Sequence, residues 1–162
     1  RVKRRARLVP RESCVGAVAR THRSSPVPAF PMLACYMGTM SAAVTLAESF
    51  ATISEPWRPV VVATANGQDV RLVKTRGLFP WHRHVDADEV FVCWRGVFRV
   101  EFRDRVVELR PGQLIVVPRG LEHRTGSDEE CEVMIFEPSE VVNTGDAPTS
   151  EFTAPRTTSV AG

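Results

Sequence analysis

The stretch Gly77-Leu78-Phe79-Pro80-Trp81-His82-Arg83-His84-Val85-Asp86-Ala87-Asp88-Glu89-Val90-Phe91-Val92-Cys93-Trp94-Arg95-Gly96 places two histidines and a glutamate between two glycines. Residues two apart on an extended segment project from one face. The spacing therefore predicts His82 and His84 on a strand, both imidazoles aimed at one point, with Arg83 turned away. Glu89, after the turn Val85 to Asp88, opens the next strand and can add a carboxylate oxygen. Two imidazoles and a carboxylate on one side of an ion leave neighbouring positions open, as a reactive rather than a structural metal requires. Further along, Gly120-Leu121-Glu122-His123 offers a fourth ligand from a distant strand. Taken singly, each histidine reads more readily as a surface or satisfied core residue; the joint spacing is what points to a metal.

The surroundings read as strands. From Pro59 onward, short runs rich in Val, Phe and Ile alternate with turn residues at intervals of roughly 8–12 positions, the pattern of an all-β sandwich or barrel. Val60 to Thr64 and Asp69 to Lys74 flank Asn66-Gly67, a dipeptide that tolerates positive φ at both positions and so favours a tight hairpin. Glu89 to Trp94 and Val97 to Phe102 flank Arg95-Gly96; Val106 to Leu109 and Gln113 to Val117 flank Pro111-Gly112; Cys131 to Phe136 closes the set. Ser41 to Phe50 suggests a short helix ahead of the sheet, and no βαβ alternation follows, so antiparallel sheets packed together or closed on themselves are the economical architecture.

The two motif stretches together resemble the cupin family, specifically a small single-domain cupin of the conserved-barrel type. Gly77, His82, His84, Glu89 and Gly96 match its first motif, and Gly112, Pro118, Gly120 and His123 its second. The resemblance implies an all-β double-stranded β-helix, the jelly-roll or cupin barrel, and makes His82, His84, Glu89 and His123 the metal ligands. Two departures stand out: four residues rather than the usual five separate Gly77 from His82, and Ser127 stands where an Asn often ends the second motif. The implied cofactor is a divalent metal ion, with Fe or Mn favoured and Zn, Ni or Cu also compatible with three imidazoles and a carboxylate.

Charge and composition bound the rest. The chain has 162 residues, enough for one core, and no apolar run of the ~20 residues that a membrane-spanning helix needs. Ahead of Met40 stand eight Lys and Arg against one acid, Glu12, so residues 40–162 carry thirteen basic against eighteen acidic groups. The folded part is thus mildly acidic, which argues against a nucleic-acid surface there. The expected organisation is a disordered basic arm over 1–39, a short helix and lead-in over 40–58, the barrel over 59–142, and a flexible C-terminal tail over 143–162. For the arm, which contains His22, three readings compete: a transit peptide, a tail for anionic surfaces, and sequence upstream of an initiator at Met40, the last preferred. Cys14, Cys35, Cys93 and Cys131 show no Cys-x-x-Cys spacing, so reduced thiols in a cytoplasm are expected, with Cys93 and Cys131 as small buried hydrophobes.

By parity with Glu89, Phe91 and Cys93 face the interior, an apolar wall suited to a modest organic ligand rather than a polyanion. Arg71, Lys74, Arg99 and Glu101 lie on expected strands, either facing water or turned inward to orient a substrate. Trp57, Trp81 and Pro80 suit a lid, a dimer contact or plain cover for the core, and Asp128-Glu129-Glu130 reads as a solvated turn. The function expected is a metal-dependent enzyme acting on a small organic substrate, of dioxygenase, isomerase or lyase type. Its catalytic residues are unknown, with metal-bound water or dioxygen at the open positions. The alternative is a module that binds or senses a small molecule or metal without turnover. A homodimer is expected, because exposed sheet edges gain from pairing across a two-fold axis.

Overall fold

The structure, a computed structural model, describes residues 43–158. The basic arm, with Cys14, His22 and Cys35, lies outside the described residues. Among the described residues no helix is long and apolar enough to cross a membrane.

One short helix, α1 (Leu46–Ala51), precedes eight strands: β1 (Val60–Ala65), β2 (Gln68–Leu78), β3 (Glu89–Arg95), β4 (Phe98–Phe102), β5 (Val106–Leu109), β6 (Leu114–Val117), β7 (His123–Pro138) and β8 (Thr157–Thr158). The helix begins five residues later than the pattern from Ser41 suggests: Thr45 at its N-cap is extended and makes no side-chain capping bond. What holds α1 is its packing, with Phe50 (1% exposed) seated with Ile53 on Leu72, burial worth about 2–3 kcal/mol for the phenyl ring alone.

The strands are joined at the turns the sequence marks. Asn66 and Gly67 take φ of 54° and 74°, the double positive pair of a tight hairpin, and β1 pairs antiparallel with β2 across it. β7 organises the barrel: its first half pairs with β4, its second half with β3, and nearly its whole length with β2. β3 also pairs with β6, and β4 with β5. Alternation along β3 and β4 sends Phe91, Cys93, Phe98, Val100 and Phe102 into one core with Val73, Leu109, Val117, Cys131, Val133 and Ile135. The expected all-β barrel of cupin type is what forms, with a short helix ahead of it.

Three local expectations are corrected. His82 and His84 do not lie on a regular strand; His82 makes an isolated bridge to His123 and His84 sits in the loop before β3. Asp128-Glu129-Glu130 is not a turn but the exposed middle of β7, where the carboxylates reach outward to Arg99, Arg76 and Lys74. Nor is 143–158 a free tail. Asn143 exchanges hydrogen bonds with Phe152 and Ala154, Arg156 grips Asp69 through two bonds of 2.7 and 2.8 Å, and β8 pairs parallel with β1. A low-hydrophobicity segment is held here by polar contacts, which hydropathy does not reveal.

Candidate metal centre

The four residues singled out by spacing come together at one end of the barrel core. His123 opens β7, and its backbone N–H and C=O exchange 2.9 Å hydrogen bonds with those of His82, which fixes the two imidazoles side by side. Their ring centroids are 4.5 Å apart. Glu89 enters from the first position of β3, and His84 is tethered through its carbonyl to the Gly120 N–H at 2.7 Å. All four are buried: His82 3%, His84 6%, Glu89 4% and His123 0% exposed.

The donor atoms point at one another rather than at protein partners. His84 Nε2 lies 3.4 Å and His123 Nε2 3.3 Å from Glu89 Oε2, and none of these three atoms has a hydrogen-bond partner of good geometry. One ligand atom from each of His82, His84 and Glu89 lies within 4.8 Å of the others. The remaining ring nitrogens explain the orientation: His82 Nδ1 is 3.0 Å from the Pro80 carbonyl and His123 Nδ1 3.1 Å from the Leu121 carbonyl. A proton on each Nδ1 leaves the Nε2 lone pair facing inward, the tautomer a metal takes. Orphaned buried donors of this kind are costly unless something fills the point on which they converge, so the set fits a divalent ion.

Burial, and after it the neighbouring His123, lowers the His82 pKa from 6.5 to about 4, so at neutral pH its ring carries no proton that would compete with an ion. Burial acts to raise the Glu89 carboxyl, but the His123 and His84 imidazoles that face it outweigh burial and hold Glu89 below the usual carboxylate range. Between pH 6.5 and about 4 the unfolded chain therefore binds the His82 proton and the folded protein does not. Stability of the metal-free protein should fall as pH drops through that window, by on the order of 3 kcal/mol from this one group. Urea midpoints at pH 7 and pH 4.5, compared with those of His82→Gln, measure it; equal pH slopes for the two proteins would show that His82 is not the group responsible.

Arg83, between the two histidines, faces outward as expected, but it is not free. Its backbone N–H and its Nε donate to the two oxygens of Asp146 at 3.0 and 2.8 Å, and the Asp146 N–H donates back to the Arg83 carbonyl at 3.1 Å. Gly145, at φ 51°, packs so close that a Cβ there would collide with the Arg83 carbonyl oxygen. The C-terminal segment thus pins the peptide that carries both histidines. Asp146→Ala should weaken zinc binding by about tenfold, the low end for outer-sphere support because the pair is half-exposed. Competition against a chromophoric chelator measures this, and an unchanged affinity would mean that the loop keeps its shape alone.

A narrow cavity of about 30 Å³ adjoins the site, lined by His82 and Glu89 and walled by Trp57, Phe79, Phe91, Phe98 and Ile135. Phe91 therefore faces inward as parity predicts. Trp57 packs at a tilt on Phe79, ring centres 5.0 Å apart, with Phe152 against Phe79 at 5.3 Å, so Trp57 covers the core. Trp81 lies instead on the outer side with the Arg103 guanidinium 3.8 Å from its ring centre. Lys74, Arg99 and Glu101 are paired near the surface with Glu130, Asp128 and Arg124. Only Arg71 turns inward, 3% exposed. Cys93 and Cys131 are buried free thiols with sulfurs 4.0 Å apart, and burial pushes Cys131 up to about 12, which makes them core residues rather than nucleophiles.

Sequence reasoning missed Glu137. It lines the same cavity, 1% exposed, and its Oε1 lies 2.6 Å from Arg71 Nη1. Burial, reinforced by the Glu89 charge, pushes its carboxyl up to about 9 against the pull of Arg71. Parity is the signal that could have found it: Cys131, Val133 and Ile135 are inward on the same strand, and Glu137 follows in step.

A β-barrel with three imidazoles and a carboxylate converging beside an apolar cavity defines the class of small cupins, and the chain belongs to the cupin family. Residues 69–138 match the Cupin domain model. A cupin-2 domain-containing protein of Shewanella frigidimarina is 39% identical with a TM-score of 0.58, the match covering 59% of this chain and 93% of that one. Protein NMB1881 of Neisseria meningitidis is 31% identical with a TM-score of 0.56, covering 60% of this chain and all of that one. YdbB of Bacillus subtilis (strain 168) is 33% identical over 67 residues, which span 41% of this chain and 59% of YdbB.

Proposed function

We propose that the protein is a mononuclear metal-binding cupin that acts on a small organic substrate, with His82, His84, Glu89 and His123 as the ligands. The observation that carries this reading is the convergence of buried, unpartnered His84 Nε2, His123 Nε2 and Glu89 Oε2 at the end of an apolar cavity. A divalent ion held there supplies Lewis-acid polarisation of a substrate oxygen and, for Fe or Mn, redox chemistry. The chain supplies the rest. Pro80 and Leu121 hold two imidazoles in the ligating tautomer, Phe79, Phe91 and Phe98 exclude water from the substrate's side, and Glu137 places a buried carboxyl in the same cavity. Dioxygenation, isomerisation and lyase chemistry all lie within this arrangement.

The test is a substrate screen on iron- and manganese-loaded protein. Small hydroxy and carbonyl compounds are followed for oxygen uptake and, by proton NMR, for conversion without it. Turnover that is lost in His82→Ala supports the enzyme. Binding without conversion across the screen favours the second reading, a module that senses or sequesters a small ligand, for which the narrowness of the cavity speaks. A homodimer belongs to the same proposal: β6 pairs on one side only and exposes Leu114 and Val116, at 60% and 50%, next to that edge.

A further inference from the structure

Glu137 is the ionisable group in the lining of the cavity that metal binding leaves unused. Arg71 holds its Oε1, whereas Oε2 is buried with no hydrogen-bond partner. An unmatched buried oxygen costs free energy that a partner in the cavity would offset. Arg71 does not supply that partner: Nη1 also donates to the Val141 carbonyl at 3.1 Å, Nη2 to Asp69 and the Ser139 carbonyl, each at 3.2 Å, and its buried Nε makes no hydrogen bond, to Oε2 or to any other group. The Thr75 hydroxyl, which also lines the cavity, is engaged with Ser127 at 2.8 Å. The rest of the wall near Glu137 is largely apolar.

Charge narrows the ligand further. Asp69 and Glu137 face Arg71 and Arg156 two against two, and among the described residues that line the cavity there is no Lys or Arg to receive an anion. We propose that Glu137 determines specificity in this cavity, its free Oε2 meeting a hydroxyl of a small uncharged ligand, a diol or hydroxy-carbonyl compound, whose second oxygen faces His82 and Glu89. A hydroxyl suits either state of the carboxyl, donating to it when ionised and accepting from it when protonated. At the metal end the ion's own charge offsets Glu89, so selection against a carboxylate is made at the other end of the cavity, where it meets the like charge of an ionised Glu137. This inference rests on the reading of the cavity as a ligand pocket beside a metal.

Zinc-loaded full-length protein, its zinc content measured first, is titrated with propane-1,2-diol and separately with lactate, and the NMR shifts of Phe79, Phe91 and Ile135 are followed. Glu137→Leu should weaken the diol about tenfold or more, since a site built to bond a hydroxyl then lacks its partner. Glu137→Gln, which keeps shape and hydrogen bonding but removes the acid, should leave the diol nearly unchanged and raise the affinity for lactate relative to the diol about fivefold. The proposal is overturned by diol binding that is insensitive to Glu137→Leu, by a lactate-to-diol ratio unmoved in Glu137→Gln, or by no response of the cavity residues to either probe up to about 100 mM. A protein that takes up no zinc refutes the metal reading instead; the same titrations on metal-free protein then decide the role of Glu137, whose contact needs no ion.

Discussion

His123→Ala should reduce zinc affinity by about a hundredfold or more, beyond the 10- to 100-fold range typical of losing an outer-sphere partner, because it removes a ligand outright. The barrel should nevertheless keep its fold. His123 meets His82 through backbone N–H and C=O groups that an alanine retains, so the bridge between the loop and β7 survives the substitution. The Nε2 has no partner in the protein to lose, but the side chain is fully buried, so alanine leaves a small cavity and a free Leu121 carbonyl and should also lower stability. Competition titration gives the affinity, and far-ultraviolet circular dichroism checks that the barrel is intact. Affinity within about threefold of wild type would remove His123 from the site.

The second large effect concerns the fold. Arg71→Met should cost about 3–5 kcal/mol, because breaking a buried ion pair strands the remaining charge. Arg71 and Glu137 are 4% and 1% exposed, so solvent does little to screen them. Asp69 keeps Arg156, Thr64 and Ser139 as partners. The cost falls chiefly on Glu137, and since that carboxyl takes a proton readily, the loss should sit towards the lower end of the range. Urea unfolding measures it. The double variant Arg71→Met with Glu137→Met should recover most of the loss; a double variant as unstable as the sum of two separate losses would mean that the pair is not the cause.

The barrel was legible because its strands alternate cleanly. Glu89, Phe91 and Cys93 on β3, and Phe98, Val100 and Phe102 on β4, declare their buried face by period alone. The candidate ligands were legible for a different reason: spacing at two motifs brings distant strands to one end of the barrel. What local pattern does not carry is cross-strand register. Glu137 faces Asp69 across the β2 and β7 ladder, and Arg71 reaches both, a relation between residues far apart in the chain. The three acids at 128–130 masked the continuity of β7, since charged residues pointing to solvent read like a turn when their strand partners are not in view. The segment after Val142 read as a tail because it is rich in Thr, Ser, Ala and Pro; its hold on Arg83 and Asp69 is polar and specific to partners that only the folded chain assembles. His82 and His84 converge from a loop and a single bridge rather than from a strand, so the convergence was predicted and the backbone that achieves it was not.

The most direct measurement is the elemental content of full-length protein purified without oxygen, with His82→Ala beside it. The four-ligand site predicts about one equivalent of a divalent metal, Fe or Mn foremost, retained on desalting and lost in the variant. Protein that carries no metal and takes up none on reconstitution would contradict it.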